Sequence, residues 1–398
     1  MDTTKKIAIV GTGSAGIQSI CHHLHNLDAS WKITSIYDPK IPILGIGEST
    51  FPVFSAILSE ATGVHIHDML KNDELNMTLK FGTYFEKWRD HEFINPLDNG
   101  MIAIHFNNFK LRDTVFPRLH KKWGNRFQEL LGTVSSMKNS GNKVIVTIDN
   151  QDYEFDYVID CTGFQNTDED YKIVKGTVNH CLVHNKKDTI KDIHTKHVAT
   201  KDGWMFVVPL STRTGYGYLF NTEDTDVASA KKNFSEEINV PVEELDPIEY
   251  SFRSFYTTKA VDGRIIKNGN RAYFFEPIFS NSLIIYSILD RLSTSLINGS
   301  INAYTFNEEW VNKAESFREM IAFIYHGGST HSTPFWHRIK KECTEIVQNG
   351  RFLKQSLEFH AKSKDLSQID KINTFPLWVF NYNAILDLDK NFGYNYFK

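Results

Sequence analysis

Two glycine-rich loops and one lysine are the residues of this chain whose types and spacing could support chemistry. Gly11, Gly13 and Gly16 have the GxGxxG spacing, a second glycine-rich loop spans residues 45–52, and Lys80 lies among apolar and aromatic neighbours. Desolvation lowers the pKa of a lysine, and the neutral amine can then act as a nucleophile. A nucleotide-binding loop does not account for such a lysine. Lys80 is therefore either an ordinary surface residue or the group that decides the chemistry.

The first glycine-rich loop predicts a binding site for the pyrophosphate of a dinucleotide. The first glycine permits a tight turn, the second lets the backbone approach the pyrophosphate, and the third lets a helix pack closely on a strand. The loop follows an apolar strand over residues 5–10 and opens an amphipathic helix, whose N-terminus would hold the pyrophosphate. The predicted cofactor contacts are Gly11, Gly13, Ser14, Ala15 and Gly16.

An acidic residue follows the second predicted strand, residues 31–37. Asp38 lies 22 residues beyond Gly16, close to the spacing at which a carboxylate binds a ribose hydroxyl in dinucleotide-binding folds. The alternative is an aspartate that only stabilises a turn. Further along the chain, the strand ending at Asp160 runs into Thr162 and Gly163, and this segment resembles the strand-to-turn segment of FAD-dependent monooxygenase-type folds. The resemblance implies that Thr162 and Gly163 pass close to FAD. The alternative is a strand that ends in a generic turn.

A third segment, residues 276–282, leads into an apolar helix predicted over residues 281–296. It begins with Glu276-Pro277 and ends with serine and asparagine, which are good N-caps. The unpaired N–H groups and the dipole of a helix N-terminus stabilise an anion, such as the ring of a reduced flavin or a halide ion. Plain helix capping is the alternative interpretation.

Composition and charge exclude several classes of function. The net charge is −4 without a long basic run, so nucleic acid is not an expected partner. Four scattered cysteines form no CxxC pair, so we expect neither a metal site nor a disulfide framework. No apolar stretch approaches the roughly 20 residues of a transmembrane helix, and the N-terminus lacks the features of a signal peptide. The sequence therefore predicts a cytoplasmic protein without a membrane segment.

The order of these motifs carries a family resemblance. With residues 11–16, 45–52, 78–88, 204–209 and 276–282 in this order, the chain resembles the flavin-dependent halogenases of the tryptophan-halogenase family. Segments 321–326 and 333–336 look like the helical second module of that family, so the resemblance covers roughly residues 5–340. It implies an α/β fold, with an FAD-binding Rossmann-like body of the monooxygenase type, an interleaved sheet and a helical second module.

The pattern along the chain also predicts the domain organisation. Strands are expected at residues 143–148, 153–160, 204–210 and 215–221, with helices over much of 52–76. The predicted regions are 1–165 for FAD binding together with Lys80, 166–265 for a sheet-rich middle and substrate region, 266–300 for a return to the FAD-binding body, and 301–398 for a helical C-terminal module.

The resemblance implies a two-component enzyme. A separate flavin reductase supplies FADH2, and the enzyme forms hypohalous acid from a halide ion and O2. Lys80 falls at the position of the family lysine, which holds the hypohalous acid as a haloamine or by a hydrogen bond before an electron-rich aromatic substrate is halogenated. Ser280 aligns with the serine near that lysine. Gly47, Glu48 and Ser49 belong to the strap over the flavin, and Asn281 and Ser282 align with the residues whose backbone amides hold halide.

This chain departs from the family pattern in three places. Phe279 stands where the family has its second catalytic residue, a glutamate. Its absence implies either that another group takes this role or that the substrates are reactive enough without it. Activated rings such as phenols and indoles, and easily oxidised halides, bromide or iodide, fit the second possibility. The family's Trp-x-Trp-x-Ile-Pro signature appears as the segment Trp204–Pro209, in which both substitutions keep the side-chain bulk. The alternative is that this segment is simply a buried strand. The Gly-Asp pair of flavin monooxygenases appears as Gly269-Asn270.

Two other functions compete with halogenation. A flavin monooxygenase that hydroxylates an aromatic substrate would share the fold, and Lys80 would then be incidental. A flavin-binding protein with degenerate catalysis is the second alternative, and Phe279 is its best support. The sequence leaves the oligomeric state open, a homo-oligomer included.

Overall fold

The fold comes from a computed structural model that describes residues 4–46, 48–97, 101–367 and 382–398. It divides into two compact units, each made of three chain segments. The first unit contains residues 1–77, 103–174 and 255–312, and the second contains residues 78–102, 175–254 and 313–398. Lys80 therefore belongs to the second unit, whereas the sequence grouped it with residues 1–165.

The described strands all lie within residues 5–274. In chain order they are β1 (Lys5–Val10), β2 (Trp31–Tyr37), β3 (Thr78–Lys80), β4 (Gly82–Glu86), β5 (Phe93–Pro96), β6 (Ala103–His105), β7 (Phe127–Leu131), β8 (Val134–Ser140), β9 (Lys143–Ile148), β10 (Gln151–Phe155), β11 (Tyr157–Asp160), β12 (Tyr171–Val174), β13 (His180–Lys186), β14 (His194–Thr200), β15 (Gly203–Pro209), β16 (Thr214–Phe220), β17 (Ile248–Ser251), β18 (Ser254–Thr257), β19 (Val261–Asp262), β20 (Ile265–Lys267) and β21 (Tyr273–Phe274).

Helices alternate with the strands along the chain and form most of the described C-terminal part. The described helices are α1 (Ser14–Asn26), α2 (Pro52–Thr62), α3 (Ile66–Lys71), α4 (Leu111–Trp123), α5 (Val227–Ile238), α6 (Ser282–Ile297), α7 (Ala303–Tyr325), α8 (Pro334–Asn349), α9 (Arg351–Lys362) and α10 (Tyr382–Asn391).

The first unit is built around a six-stranded sheet in the order β19-β20-β11-β1-β2-β7. All neighbouring strands are parallel except β19 and β20. Residues 7–10 of β1 are apolar and buried, as in a central strand of a sheet covered on both faces. In the register of this sheet Val10 lies opposite Ile36 on one side and Asp160 on the other. The segments that follow β1, β2 and β11 therefore leave the sheet at the same edge.

The second unit is built around a seven-stranded sheet in the order β17-β13-β16-β15-β14-β4-β5. Its strands are antiparallel apart from the parallel pair β4 and β14. Phe234 of α5 packs with Tyr218 and Phe220 of β16 in the buried core of this unit. This sheet holds the segment that carries the Trp-x-Trp-x-Ile-Pro resemblance.

Most predicted elements are present, with differences at their ends. The helix that follows the glycine loop already begins at Ser14, and the helix predicted over 281–296 spans Ser282–Ile297. The single strand predicted over 153–160 is wrong: it divides into β10 and β11 around Asp156, whose backbone N–H donates to the Lys6 carbonyl at 2.8 Å. The hairpin turn between β9 and β10 lies at Asp149 and Asn150, which both have positive φ.

Candidate active site

The glycine loop has the shape that a pyrophosphate site requires. A Cβ atom on Gly11 would lie 2.5 Å from the Cys161 carbonyl oxygen, and one on Gly16 would lie 1.9 Å from the Gly11 carbonyl oxygen. Both glycines are therefore required by close packing. Around Gly13, in contrast, no described atom lies within 4 Å of such a Cβ. The loop is open on the side of its second glycine, where the pyrophosphate would approach the N-terminus of α1. These residues fit a dinucleotide.

Two further turns of the first unit converge on this loop. The Asn268 backbone N–H donates to the Asp160 carbonyl at 2.9 Å, which joins the segment after β20 to the end of β11. A Cβ atom on Gly269 would lie 2.7 Å from the Cβ of Ala15. Gly269 also has a φ of +64°, so both its conformation and this close approach favour glycine. The structure thus brings together three segments that the sequence predicted separately.

The Thr162-Gly163 turn is held by the carboxylate of Asp160. The backbone N–H and the hydroxyl of Thr162 both donate to one Asp160 oxygen, at 3.0 and 2.6 Å. The other oxygen forms an ion pair with Arg271 at 3.1 Å. Gly163 has a φ of +95° and no described atom within 4 Å of its Cβ position. Hydrogen bonds to Asp160 therefore hold the turn at Thr162, whereas the space beside Gly163 is open.

Asp38 lies directly after β2, at the sheet edge where the glycine loop begins. Its carboxylate accepts hydrogen bonds from the Thr133 hydroxyl at 2.6 Å and from the Lys40 backbone N–H at 2.9 Å. These two donors, the Thr133 hydroxyl first, hold the pKa of Asp38 below its ordinary value of 3.8. The residue is a turn aspartate placed where a ribose would bind, so its role as a ribose ligand stays a prediction.

A buried carboxyl group, Asp290 of α6, was not singled out from the sequence. It accepts hydrogen bonds from the Ser19 hydroxyl, from the Gln18 amide at 3.3 Å and from the Asn268 amide at 2.8 Å. Burial raises the pKa of Asp290 from 3.8 to about 7, although the hydrogen-bond donors oppose this. The Asn268 side chain accepts from the Gly269 backbone N–H at 2.7 Å. Asp290 therefore links α1, α6 and the Gly269 turn.

The segment Glu276–Ser282 forms a strained loop that ends at α6. Phe279 and Ser280 have φ values of +61° and +58°, a conformation that costs about 1 to 3 kcal/mol per residue and clusters at functional sites. The Asn281 amide donates to the Glu276 carbonyl at 2.6 Å and to the Ile278 carbonyl at 2.9 Å. Asn281 is therefore committed to bracing the loop and does not cap α6 with its side chain, contrary to the capping interpretation.

Residues 45–50 of the second glycine-rich loop are called the strap below. Its end pairs with the segment that contains β6, because the Thr50 N–H donates to the Ile104 carbonyl at 3.1 Å and the Phe106 N–H donates to the Glu48 carbonyl at 2.9 Å. Ser49 forms an antiparallel bridge with His105. Gly47, which the resemblance places in the strap, lies outside the described residues.

Lys80 lies at the end of β3, in the second unit, and is almost completely buried. Only 1% of its surface is exposed, and burial lowers the pKa of its ammonium group from 10.5 to about 7. The Thr78 hydroxyl donates to the Pro209 carbonyl at 2.6 Å, so β3 begins beside the end of β15. Lys80 is therefore not a surface residue but a buried group that exchanges a proton near neutral pH.

His197 of β14 is an electrostatic neighbour of Lys80 that the sequence analysis missed. Burial first, and the charge of Lys80 second, hold the pKa of His197 well below its ordinary value. The centre of its ring lies 4.6 Å from that of Trp204 and 5.3 Å from that of Phe85. The imidazole that responds to the charge of Lys80 thus packs against two buried aromatic rings within the second unit.

The comparison with known families decides which of the competing functions applies. The sequence model of the Trp_halogenase family, described as tryptophan halogenase, matches residues 6–130 and 125–371. The chain belongs to the tryptophan halogenase family.

Several similar proteins support this assignment. Tryptophan 7-halogenase RebH from Lentzea aerocolonigenes is 21% identical over 85% of this halogenase and 79% of its own length. The tryptophan halogenase from Shewanella frigidimarina NCIMB 400 has a TM-score of 0.78 at 18% identity, covering 98% of this chain and 89% of that one. The flavin-dependent halogenase BrvH from Brevundimonas sp. BAL3 has a TM-score of 0.77 at 16% identity, covering 99% and 91%.

The predicted fold class and enzyme class are confirmed. The protein is a mixed α/β flavin-dependent halogenase, an oxidoreductase that uses FADH2, a halide ion and O2. Enzymes of this family need a separate flavin reductase. Among the described helices, none is long and apolar enough to cross a membrane. Phe279 lies in the strained loop before α6, and its place at the position of the family glutamate stays a prediction.

Proposed function

We propose that this halogenase transfers an oxidised halogen from Lys80 to an electron-rich aromatic ring, with phenols and indoles as the substrate class and bromide or iodide preferred over chloride. The observation that carries the proposal is the burial of Lys80, which lowers its pKa to about 7. A lysine on the surface would remain an ammonium ion with a pKa near its ordinary value. A buried lysine can present either a hydrogen-bond donor or a free amine at neutral pH.

The proposed cofactor site lies in the first unit. The backbone at Gly11, Gly13, Ser14, Ala15 and Gly16 would hold the pyrophosphate, Asp38 the ribose, and the open Thr162-Gly163 turn and Glu276-Pro277 the remainder of FAD. When bound, the reduced flavin supplies the two electrons with which O2 and a halide ion give hypohalous acid and water. The strap residues Gly47, Glu48 and Ser49 would cover the cofactor.

The halide would bind at the start of α6, at the backbone amides of Asn281 and Ser282. Support comes from the Asn281 side chain, which is turned back into the preceding loop and therefore does not occupy the N-terminus of the helix as a cap. The amides of a first helical turn favour an anion. Ser280 is the proposed second catalytic residue, and its positive φ fits a position where strain serves function.

The chemistry assigned to Lys80 follows from its two protonation states. The ammonium form would donate a hydrogen bond to hypohalous acid and polarise it. The amine form would attack the halogen, release water and give a haloamine, and the ring would then take the halogen and return its proton to the nitrogen. Because Phe279 supplies no carboxylate to accept a proton or charge, rings that are already activated are the better substrates. The same reasoning favours the halides that are oxidised most easily.

A product screen tests the proposal. Purified protein would receive FAD, a flavin reductase, NADH, O2 and each halide in turn, with a panel of phenols and indoles, and mass spectrometry would detect halogen isotope patterns. We expect brominated or iodinated phenols and indoles that disappear in Lys80→Ala. If Lys80→Ala keeps wild-type turnover while free hypohalous acid is scavenged, the lysine has no catalytic role. Hydroxylated products without halogen would instead support the monooxygenase function.

A further inference from the structure

We propose that Tyr286 is a positioning residue that turns the amide of Asn270 into a hydrogen-bond donor for the pyrophosphate of FAD. The proposal rests on the proposed cofactor site. Asn270 follows Gly269 in the turn after β20, at the position where the Gly-Asp pair of flavin monooxygenases has its aspartate. An ionised carboxylate only accepts hydrogen bonds, whereas an amide accepts at its oxygen and donates at its nitrogen. The end of the amide that faces the cofactor therefore decides what the residue can bind.

One hydrogen bond fixes the oxygen end of the Asn270 amide. The Tyr286 hydroxyl donates to the Asn270 Oδ1 atom, and the two oxygens lie 2.5 Å apart. This distance is within the range of O–H···O hydrogen bonds and shorter than the roughly 2.7 Å at which N–H···O hydrogen bonds begin. The amide therefore meets the tyrosine with its oxygen and not with its nitrogen.

Tyr286 is held as a neutral donor. It lies on α6, and 5% of its surface is exposed. Burial raises the pKa of its hydroxyl, and a hydrogen bond from the Ser282 side chain, one turn earlier, opposes this only in part. The Tyr286 carbonyl also accepts a hydrogen bond from the Asn268 amide at 3.4 Å, which joins α6 to the turn at a second point. The phenol thus keeps its proton near neutral pH and directs it to Asn270.

The nitrogen end of the same amide is available to a ligand. Within the described residues nothing accepts a hydrogen bond from the Asn270 nitrogen, and the residue is partly exposed. Its neighbour Gly269 packs against the first turn of α1, because a Cβ atom on this glycine would lie 2.7 Å from the Ala15 Cβ. The N-terminus of α1 is the proposed pyrophosphate site. Phosphate oxygens accept hydrogen bonds, so N–H groups beside this helix end suit a pyrophosphate, whereas a carboxylate there would repel it.

Titration of the protein with FAD, followed by flavin fluorescence, tests the polarity of the contact. Asn270→Ala should raise the dissociation constant about two- to tenfold, because the donors are lost. Asn270→Asp should raise it by more than about tenfold, because a carboxylate replaces the donors and repels the phosphates. The aspartate keeps the shape of the side chain, so a residue that only fills space would give the opposite order. Unchanged or tighter FAD binding in Asn270→Asp would overturn the proposal.

Tyr286→Phe tests the positioning role, since it removes only the hydroxyl and lets the amide rotate. It should raise the dissociation constant for FAD about two- to tenfold. The variant that combines Tyr286→Phe with Asn270→Ala should bind FAD within about twofold of Asn270→Ala alone, because the tyrosine acts through the amide. Effects that simply add would overturn the positioning role. Tyr304→Phe, at a tyrosine of α7 that is 75% exposed, is the matched control and should bind FAD like the wild type.

Competition by ADP tests the assignment to the pyrophosphate, because ADP carries a pyrophosphate and no flavin. ADP should displace FAD less effectively from Asn270→Ala than from the wild type, and equal displacement would overturn this assignment. A wild type that binds no FAD would instead refute the proposed cofactor site. Since FAD binding does not require the chemistry at Lys80, a protein that binds FAD but does not halogenate would refute the proposed function and not this contact.

Discussion

Replacing Lys80 by methionine should abolish halogenation and, at the same time, stabilise the protein. The lysine is 1% exposed, and burial lowers the pKa of its ammonium group from 10.5 to about 7. Methionine has a similar length and no charge, so it fills the same space without the desolvation penalty of an ammonium ion. A residue kept at the expense of stability is expected at a functional site and not in a structural core.

The size and sign of the effect follow from the two pKa values. Between pH 7 and 10.5 the unfolded chain holds a proton on this lysine that the folded chain has lost, so the stability of the wild type rises with pH across that window. Near pH 6 the buried lysine destabilises the folded state by roughly 5 kcal/mol relative to a neutral side chain. Near pH 9.5 the difference falls to roughly 1 kcal/mol, because most unfolded molecules still hold the proton but the folded molecules do not.

Urea unfolding at about pH 6 and about pH 9.5 measures this difference directly. Lys80→Met should exceed the wild type in unfolding free energy by several kcal/mol at the lower pH, and the gain should shrink by about 3 to 4 kcal/mol at the higher pH. Lys354→Met, at an exposed position in the same unit, is the control and should change stability by less than about 0.5 kcal/mol. A Lys80→Met protein less stable than the wild type near pH 6 would refute the reasoning, since hydrogen bonds of the amine would then outweigh its burial.

Three other predictions concern the cofactor site and the lysine. Gly13→Val should abolish FAD binding, measured by fluorescence titration, because its side chain would fill the open side of the loop; unchanged affinity would contradict the site. In the wild type the folded carboxyl of Asp290 has the higher pKa, so stability should fall by roughly 4 kcal/mol as pH rises from about 4 to about 7, and Asp290→Asn should remove this fall. Unfolding free energies from urea that change equally with pH in the wild type and the variant would contradict this prediction. The rate of halogenation should depend on pH with an apparent pKa near 7 in the wild type, and also in His197→Phe, because the imidazole that this variant lacks is already neutral in the wild type. Lys80→Arg should lack this transition, because its guanidinium stays charged. Loss of the transition in His197→Phe would assign it to the imidazole.

The opening of the first unit could be predicted because its signals are local. An apolar strand, a glycine motif and an amphipathic helix follow one another within residues 5–26, and the structure has β1 and α1 there. The division of the predicted strand 153–160 into two strands could not be predicted in the same way. It depends on the hydrogen bond of the Asp156 backbone N–H to the Lys6 carbonyl, about which the local sequence contains no information.

The surroundings of Lys80 show the same limit. Its strand has only three residues, and the sequence alone is compatible with a surface lysine. His197 of β14, whose pKa responds to the charge of Lys80, and Pro209 of β15, which accepts the hydrogen bond of Thr78, come more than a hundred positions later in the chain. No periodic pattern around residue 80 encodes the burial, so His197 and the lowered pKa of the lysine appear only in the folded protein.

By itself, the sequence determined the family and the cofactor, because ordered short motifs are properties of the chain. Only the tertiary structure decided that Lys80 is buried and that Asp290 joins Ser19 across 271 positions. Burial and hydrogen bonding between distant segments depend on how the chain packs, and packing sets the pKa values and contacts on which the proposed chemistry rests. The glycine loop could therefore be recognised from its spacing, whereas its contact with the Gly269 turn could not.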